Sequence, residues 1–379
     1  MILLDSLNTI LRFVEIVAAC YSILIGLFAY GWFRLKASSD FELSNETTVS
    51  VLVAARNEAN TIGNLIADLA RQNYPQQLYE VIFVDDHSED ETYNNIQEIC
   101  ANHGNFVLLR ASEQGKKAAM AQALAEAKGA LILVTDADCR VSADWVRCMV
   151  SYYEKERPKM ILGPVLLTPS KTLFERFQTL EHLSLIGSTA GAAALAMPIM
   201  CNGANMAYER KAARDVAILR KDADLVSGDD MFLMQAIAKK FGAKSVQFIR
   251  NEQCIVTTVP SKTVRDFFRQ RMRWVSKSKG YTSLRIIATA LMVFLFNLNI
   301  VMLFVLSFFM PALSLFVFLF LLLKTLVDFP LLYGMCAFMK QQKLTRFIIP
   351  LEFVYPFYIV LSGVFGLFGK PSWKGRKAK

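Results

Sequence analysis

The sequence predicts an α/β domain with a mostly parallel, Rossmann-like sheet, set among transmembrane and interfacial helices. Three observations predict it. From residue 48 onward, short apolar runs alternate with segments of helical periodicity. One run, Leu131-Ile132-Leu133-Val134, is unbroken and then meets Thr135-Asp136-Ala137-Asp138. Several much longer apolar blocks lie near the two ends of the chain. An uninterrupted run of four to eight apolar residues suits a strand buried on both faces, as in a parallel sheet. Repeated strand–helix units imply right-handed crossovers with helices on both faces.

The apolar content, 54% of 379 residues, is high for a soluble chain of this length, and it is concentrated in blocks. That distribution points to membrane segments rather than to a larger core. The formal charge of +9 is clustered beside the same blocks, which fits anionic headgroups and phosphorylated substrates better than nucleic acid. Seven scattered cysteines without a C-x-x-C read as reduced, mostly buried thiols, as on the cytosolic side of a membrane. Three histidines and no H-E-x-x-H argue against a zinc hydrolase.

Residues 10–33 are almost wholly apolar and long enough to span a bilayer as a helix. They lack the basic n-region and small-residue cleavage site of a signal peptide. Trp32, Arg34 and Lys36 form an interfacial anchor, and the two cations favour a cytosolic location for the residues beyond them. Strands are then expected at 49–54, 81–84, 106–109 and 131–134, with helices at 58–72, 92–102 and 116–128. The stripe Ile62, Leu65, Ile66, Leu69 has helical spacing. Polar residues at the strand ends (Arg56-Asn57-Glu58, Asp85-Asp86, Asp136 and Asp138) fall on one rim, where open α/β sheets bind ligands. No P-loop and no G-x-G-x-x-G is present.

Residues i and i+2 of an extended chain face the same way, so Asp136 and Asp138 share a direction. Two such carboxylates repel unless a cation lies between them. An isolated D-x-D is more often a turn that caps the next helix. Beyond it, Cys201–Tyr208 reads as a loop entering a strand, and Ser227-Gly228-Asp229-Asp230 opens a helix whose aspartates also suit N-capping. An amphipathic helix is expected within 169–190 and a second, strongly basic one over 263–279. The second puts Val264, Phe267, Phe268, Met272 and Val275 on its apolar face, with Arg265, Arg269, Arg271, Arg273, Lys277 and Lys279 around the rest. That pattern belongs at a bilayer surface. Residues 286–309 and 312–338 are the next spans, the latter interrupted by Lys324, Asp328 and Pro330. With three full crossings the basic tail would end outside, so 344–368 is expected to be re-entrant or interfacial.

The motifs V-S-V-L-V-A-A-R-N-E (49–58), V-D-D-H-S (84–88), G-K-K-A (115–118), D-A-D (136–138), G-D-D (228–230) and Q-R-M-R-W (270–274) occur in that order. This series resembles the membrane-bound family 2 glycosyltransferases of GT-A fold, over roughly residues 49–274. Q-x-x-R-W just ahead of a span is similar to that of ceramide glucosyltransferases, bacterial glycolipid synthases and polysaccharide synthases. Trp373-Lys374-Gly375-Arg376 resembles the tails of glycolipid-forming relatives. The implied division is an N-terminal transmembrane helix (1–36), a GT-A catalytic domain (48–260), and an amphipathic interfacial helix with Q-x-x-R-W (261–283). A membrane region of two or three spans (284–369) and a basic tail (370–379) complete it.

The resemblance implies donor binding by Ala54, Arg56, Glu58 and Asp86 around uracil and ribose, with Lys117 reaching ribose or phosphate. It gives Asp136 the ribose or metal side, and Asp138 the Mn2+ or Mg2+ that bridges the diphosphate. Asp230 would be the base that deprotonates the acceptor, next to Asp229, where the family often has Glu. Gln270, Arg273 and Trp274 would complete the site, Arg273 on the diphosphate and Trp274 beneath the acceptor. Asn202, Gly203 and Asn205 are either acceptor-lining residues or turn formers. The implied function is inverting transfer of one sugar from a UDP-sugar to a membrane lipid acceptor on the cytosolic face. The alternatives are a processive polysaccharide synthase, for which the C-terminal blocks are few, and a non-catalytic glycosyltransferase-like binding protein.

Overall fold

The computed structural model describes residues 2–38, 46–217, 229–368, 372–373 and 376–377. The chain divides into two compact units: residues 35–170 with 193–260, and residues 1–34 with 171–192 and 261–379.

The first unit is the α/β domain. Its strands are β1 (Val49–Ala55), β2 (Tyr79–Asp85), β3 (Phe106–Arg110), β4 (Leu131–Val134), β5 (Met160–Leu162), β6 (Val165–Leu167), β7 (Met206–Glu209), β8 (Val246–Phe248) and β9 (Val256–Thr258). Between them lie α2 (Ile62–Ala70), α3 (Thr92–Cys100), α4 (Lys116–Glu126), α5 (Trp145–Glu156), α7 (Arg210–Val216) and α8 (Asp229–Phe241). Seven strands form one sheet in the order β3-β2-β1-β4-β7-β5-β8, parallel except where β7 pairs antiparallel with β4 and β5. β6 and β9 form a separate parallel pair. All four residues of β4 are buried, as its sequence requires for a central strand. α2 turns Ile62, Leu65, Ile66 and Leu69 inward at full burial, which confirms the stripe. The parallel register of β1 with β2 and β4 carries the ends of all three strands to the same rim.

Cys148 on α5 and Cys254 are paired in a disulfide, their Cα atoms 6.1 Å apart. Two of the seven cysteines are therefore not free thiols. The chain brings together residues 106 positions apart, which no local spacing announces. Cysteine usage thus ceases to argue for a compartment.

The second unit is helical: α1 (Ile2–Arg34), α6 (Leu173–Ala194), α9 (Val264–Ser276), α10 (Leu284–Ser307), α11 (Leu313–Phe338) and α12 (Ile348–Phe368). A two-residue ladder, β10 (Ser372–Trp373) with β11 (Arg376–Lys377), comes next, while Lys374 and Gly375 of the tail motif lie outside the described residues. Among the described residues, Arg12–Arg34, Leu284–Ser307, Leu313–Phe338 and Gln342–Gly366 are long and apolar enough to cross a membrane. The last overlaps the block expected to be re-entrant, and at 25 residues it is as long as the others and somewhat less apolar. Met302 of α10 and Leu315, Phe318 and Leu326 of α11 stay exposed, as lipid-facing side chains should. α1 and α6 approach closely at two glycines. A Cβ on Gly31 would lie 2.1 Å from the carbonyl oxygen of Gly191, and one on Gly191 would lie 2.0 Å from that of Phe28.

The charges that interrupt the apolar blocks find one another. Lys324 of α11, 1% exposed, donates to Asp328 one turn on and to Glu352 of α12, both at 2.5 Å. Tyr21 of α1 donates to Asp328 at 2.8 Å. The Lys324 ammonium also lies 4.5 Å from the centre of the Tyr355 ring. Removing one partner from a buried ion cluster strands the others in low dielectric. Lys324→Met is therefore expected to destabilise the helical unit by about 3–5 kcal/mol. Thermal unfolding in detergent checks this, with Lys324→Arg expected to lose far less.

Candidate active site

The rim of the α/β unit is built from three loops laced together. After β1, Asn57 turns back in the left-handed region at φ 51°, which asparagine tolerates. Its amide N–H donates to the Ser88 hydroxyl (3.1 Å), and its side-chain oxygen accepts from the Glu89 amide (2.9 Å). The amide of Glu58 donates to the Thr92 hydroxyl at 2.7 Å. Arg56 is 5% exposed; it donates to the Asp86 carbonyl (3.1 Å) and pairs with Glu89 (3.1 Å). These bonds fix the loop after β2, so that the fully buried Asp86 carboxylate accepts from the Gly115 amide at 2.9 Å. Gly115 has φ 116°, a conformation that a side chain at this position would strain. It starts α4 and so delivers Lys116 to the rim.

The resemblance gives Lys117 the ribose or phosphate, and the structure adds its neighbour Lys116 at the rim. Its ammonium bonds the Asp136 carboxylate. Desolvation opposes its charge, but Asp136, Asp230 and Asp138 hold it above the ordinary lysine range. Carboxylates from the loop after β4 and the start of α8 thus act on one cation. Nothing local distinguishes Lys116 from Lys117. Only the helix start at Gly115 selects it.

Asp138 accepts from the Thr258 hydroxyl at 3.3 Å. Burial, with repulsion from Asp136 and Glu58, pushes its carboxyl up to about 6. The loop that carries it is anchored behind: Arg140 makes two bonds to Asp68 of α2, at 2.6 and 2.8 Å. Asp230 accepts from the Gly203 amide (3.1 Å) and from its own neighbour Met231 (2.8 Å), so the 201–205 loop cradles the start of α8. Asn202 closes that loop by accepting from the Ala204 amide at 3.0 Å. Asn205 is 1% exposed and its amide is used by the fold: it accepts from Trp145 (3.0 Å) and donates to the carbonyls of Pro164 and Cys254 (both 2.7 Å). It holds the loop from behind, with no amide group left over for a ligand. Gly228 and the Asp229 side chain lie outside the described residues. Ala54 and Lys117 are half-buried, at the end of β1 and in the first turn of α4.

Gln270, Arg273 and Trp274 lie on α9 in the helical unit. The buried residues of α9 are Phe267 and Arg271, so Arg271 is not part of the solvated basic face that the sequence pattern assigns to it. His182 on α6, also unforeseen, is 4% exposed, and among the described residues neither of its ring nitrogens has a hydrogen-bond partner. Burial, then the Arg271 charge, lowers its pKa to about 3 and keeps it neutral.

A sheet of this order, with an acidic rim at the carboxyl ends of its parallel strands, is a GT-A fold. Residues 50–217 match the model described as Glycosyl transferase family 2, so this segment of the chain is a domain of that family. It is 37% identical over 112 residues to a beta-monoglucosyldiacylglycerol synthase of Trichormus variabilis, covering 29% of this chain and 24% of that protein. It is 25% identical over 230 residues to a poly-beta-1,6-N-acetyl-D-glucosamine synthase of Staphylococcus epidermidis, covering 60% and 53%. The chain thus spans about a quarter to a half of the length of these relatives. Among solved structures, a mannosyltransferase of Pyrobaculum calidifontis in complex with GDP-Man and Mn2+ superposes with a TM-score of 0.59. That match has 17% identity and covers 91% of this chain and 99% of that one.

The raised Asp138 gives a signed expectation. Between about pH 4 and 6 the folded chain holds a proton on Asp138 that the unfolded chain has released, so native stability falls as pH rises through that window. Asp138→Asn, in chelator, should therefore raise stability above pH 6 by on the order of 1–2 kcal/mol and leave it unchanged at pH 4. Unfolding midpoints at the two pH values check this.

Proposed function

We propose that this chain transfers a single sugar, with inversion, from a UDP-sugar to a membrane lipid acceptor at the cytosolic face. The observation that carries the reading is the Lys116–Asp136 pair, with the charges of Asp138 and Asp230 acting on the same ammonium, in a chain with four helices of membrane-crossing length among the described residues. A lipid's reactive hydroxyl sits at headgroup depth, so its transferase has to work at the interface. The glucosyldiacylglycerol synthase relative supports a lipid acceptor.

The rim suits a divalent cation. Burial, with repulsion from Asp136 and Glu58, has already raised Asp138, an imbalance that a cation relieves. Lys116 neutralises Asp136, which leaves Asp138 as principal ligand and Asp136 as second. No group of three His, Cys, Asp or Glu suited to a metal occurs among the described residues, so further oxygens would come from the donor diphosphate and water. When bound, the cation supplies charge stabilisation for the departing nucleoside diphosphate. Asp86, Arg56, Glu58, Ala54 and Lys117 are assigned to the nucleoside side, and Lys116 to the phosphates. Asp230, oriented by two backbone amides, takes the acceptor proton. Asn202 and Gly203 are assigned to the acceptor. Asp229, Gln270, Arg273 and Trp274 keep the roles the resemblance gives them.

A processive polysaccharide synthase is the second reading, favoured by the poly-N-acetylglucosamine synthase match over 60% of the chain. Membranes incubated with a panel of UDP-sugars, their products identified by mass spectrometry, separate the two: single glycolipids support the first, a ladder of polymer the second. Asp230→Asn is expected to abolish transfer while leaving UDP affinity within a few-fold. Asp138→Ala should lose metal-dependent UDP binding. Metal-independent UDP binding by the wild type would remove the cation from the scheme.

A further inference from the structure

Arg271 of α9 has partners on three helices, and neither the proposed reaction nor the resemblance gives it a role. It occupies a spacer position in Gln270-Arg271-Met272-Arg273-Trp274 and is 3% exposed. Its Nε donates at 3.0 Å both to Glu181 Oε1 of α6 and to the Tyr358 hydroxyl of α12, and Nη2 bonds Glu181 Oε2. The Tyr358 hydroxyl itself donates to Glu181 Oε1 at 3.0 Å, which closes a ring of three groups. The other arm of the guanidinium reaches back along α9. Nη1 donates to Gln270 Oε1 at 2.7 Å, and the guanidinium carbon lies 4.1 Å from the centre of the Trp274 ring. Phe267 lies 4.5 Å from the same carbon, and its ring meets those of Phe174, Phe177 and Tyr358 edge-on or tilted within 5.8 Å. α6 holds the segment leading into α9 a second time, by a reciprocal pair between Gln178 and the Ser261 backbone at 3.0 and 2.9 Å.

From this arrangement we infer that Arg271, anchored by Glu181 and Tyr358, is a positioning residue that sets the orientation of Gln270 and Trp274. One planar, five-donor cation does both tasks. By donating to the Gln270 carbonyl it fixes the amide and leaves the NH2 to donate elsewhere. By lying against the indole it fixes the plane of Trp274. An ion pair needed only for packing would not require the second arm. A lysine in its place carries a compact point charge that can meet Glu181 but cannot span Glu181, Tyr358 and Gln270 together. Replacing both members of a buried pair with apolar residues of similar volume leaves no stranded charge, so that variant tests position apart from folding.

The inference rests on the proposed roles of Gln270 and Trp274 for its effect on turnover, but not for its effect on geometry, and the experiment separates the two. Full-length protein carrying 5-fluorotryptophan, in detergent with lipid, is compared with Arg271→Lys and with Arg271→Met combined with Glu181→Leu. The Trp274 fluorine line is assigned by Trp274→Phe. Both variants are expected to shift or broaden that line, to bind UDP with Mn2+ within twofold of wild type, and to lose at least tenfold in kcat. If a folded variant keeps the wild-type line, or Arg271→Lys restores wild-type turnover, Arg271 is a packing residue only. If UDP binding falls as far as kcat, the effect is general and the positioning role is overturned. If the wild type transfers no sugar from any UDP donor, the functional reading fails, and the fluorine line alone decides the role of Arg271.

Discussion

Negative charge gathered at the carboxyl end of a parallel sheet is the constraint on which the α/β unit depends. Asp136 and Asp138 repel one another, and the fold tolerates them because Lys116 pairs with Asp136 while its charge is also felt by Asp138 and Asp230. The surrounding framework holds that balance in place. Asn57, Ser88, Glu89 and Thr92 lace two loops, Arg140 and Asp68 brace the third, and the Gly203 amide steadies Asp230. Such a rim costs stability when empty and is relieved by a cationic ligand. That is the usual compromise of an active site: groups unfavourable to the fold are kept because they favour the bound state.

The helical unit solves a related problem in a harsher solvent. Its buried charges sit where others meet them: Lys324 between Asp328 and Glu352, Arg271 between Glu181 and Tyr358. In both clusters tyrosine hydroxyls supply the bonds that carboxylates alone leave unmade. Aromatic collars exclude water from the Arg271 pair and so sharpen its geometry. Shape is fixed by directional bonds where hydrophobic burial against lipid cannot select one helix partner over another.

Much of the α/β unit is legible in the sequence because its signals are local. An unbroken Leu-Ile-Leu-Val run and an Ile62–Leu69 stripe each specify burial without reference to distant residues. The strand-end carboxylates are legible for the same reason. The features that escape depend on partners far along the chain. Lys116 and Lys117 are equivalent until a glycine at φ 116° fixes the start of α4. Arg271 looks like one of six cations on an amphipathic helix until Glu181, 90 residues earlier, is found opposite it. Asn205 reads as a loop amide, and only Trp145 and two carbonyls show that the fold consumes it. The pairing of Cys148 with Cys254 is equally non-local.

The spacing of the Lys324 cluster bears on how the protein is made. Helices enter the bilayer in the order in which the ribosome delivers them, and α11 emerges before α12. Lys324 is therefore synthesised before Glu352. Asp328 lies four residues on along the same helix, so the ammonium travels with its own counter-ion, and Tyr21, synthesised long before, is already there to receive it. Glu352 of α12 completes the cluster from the helix made last.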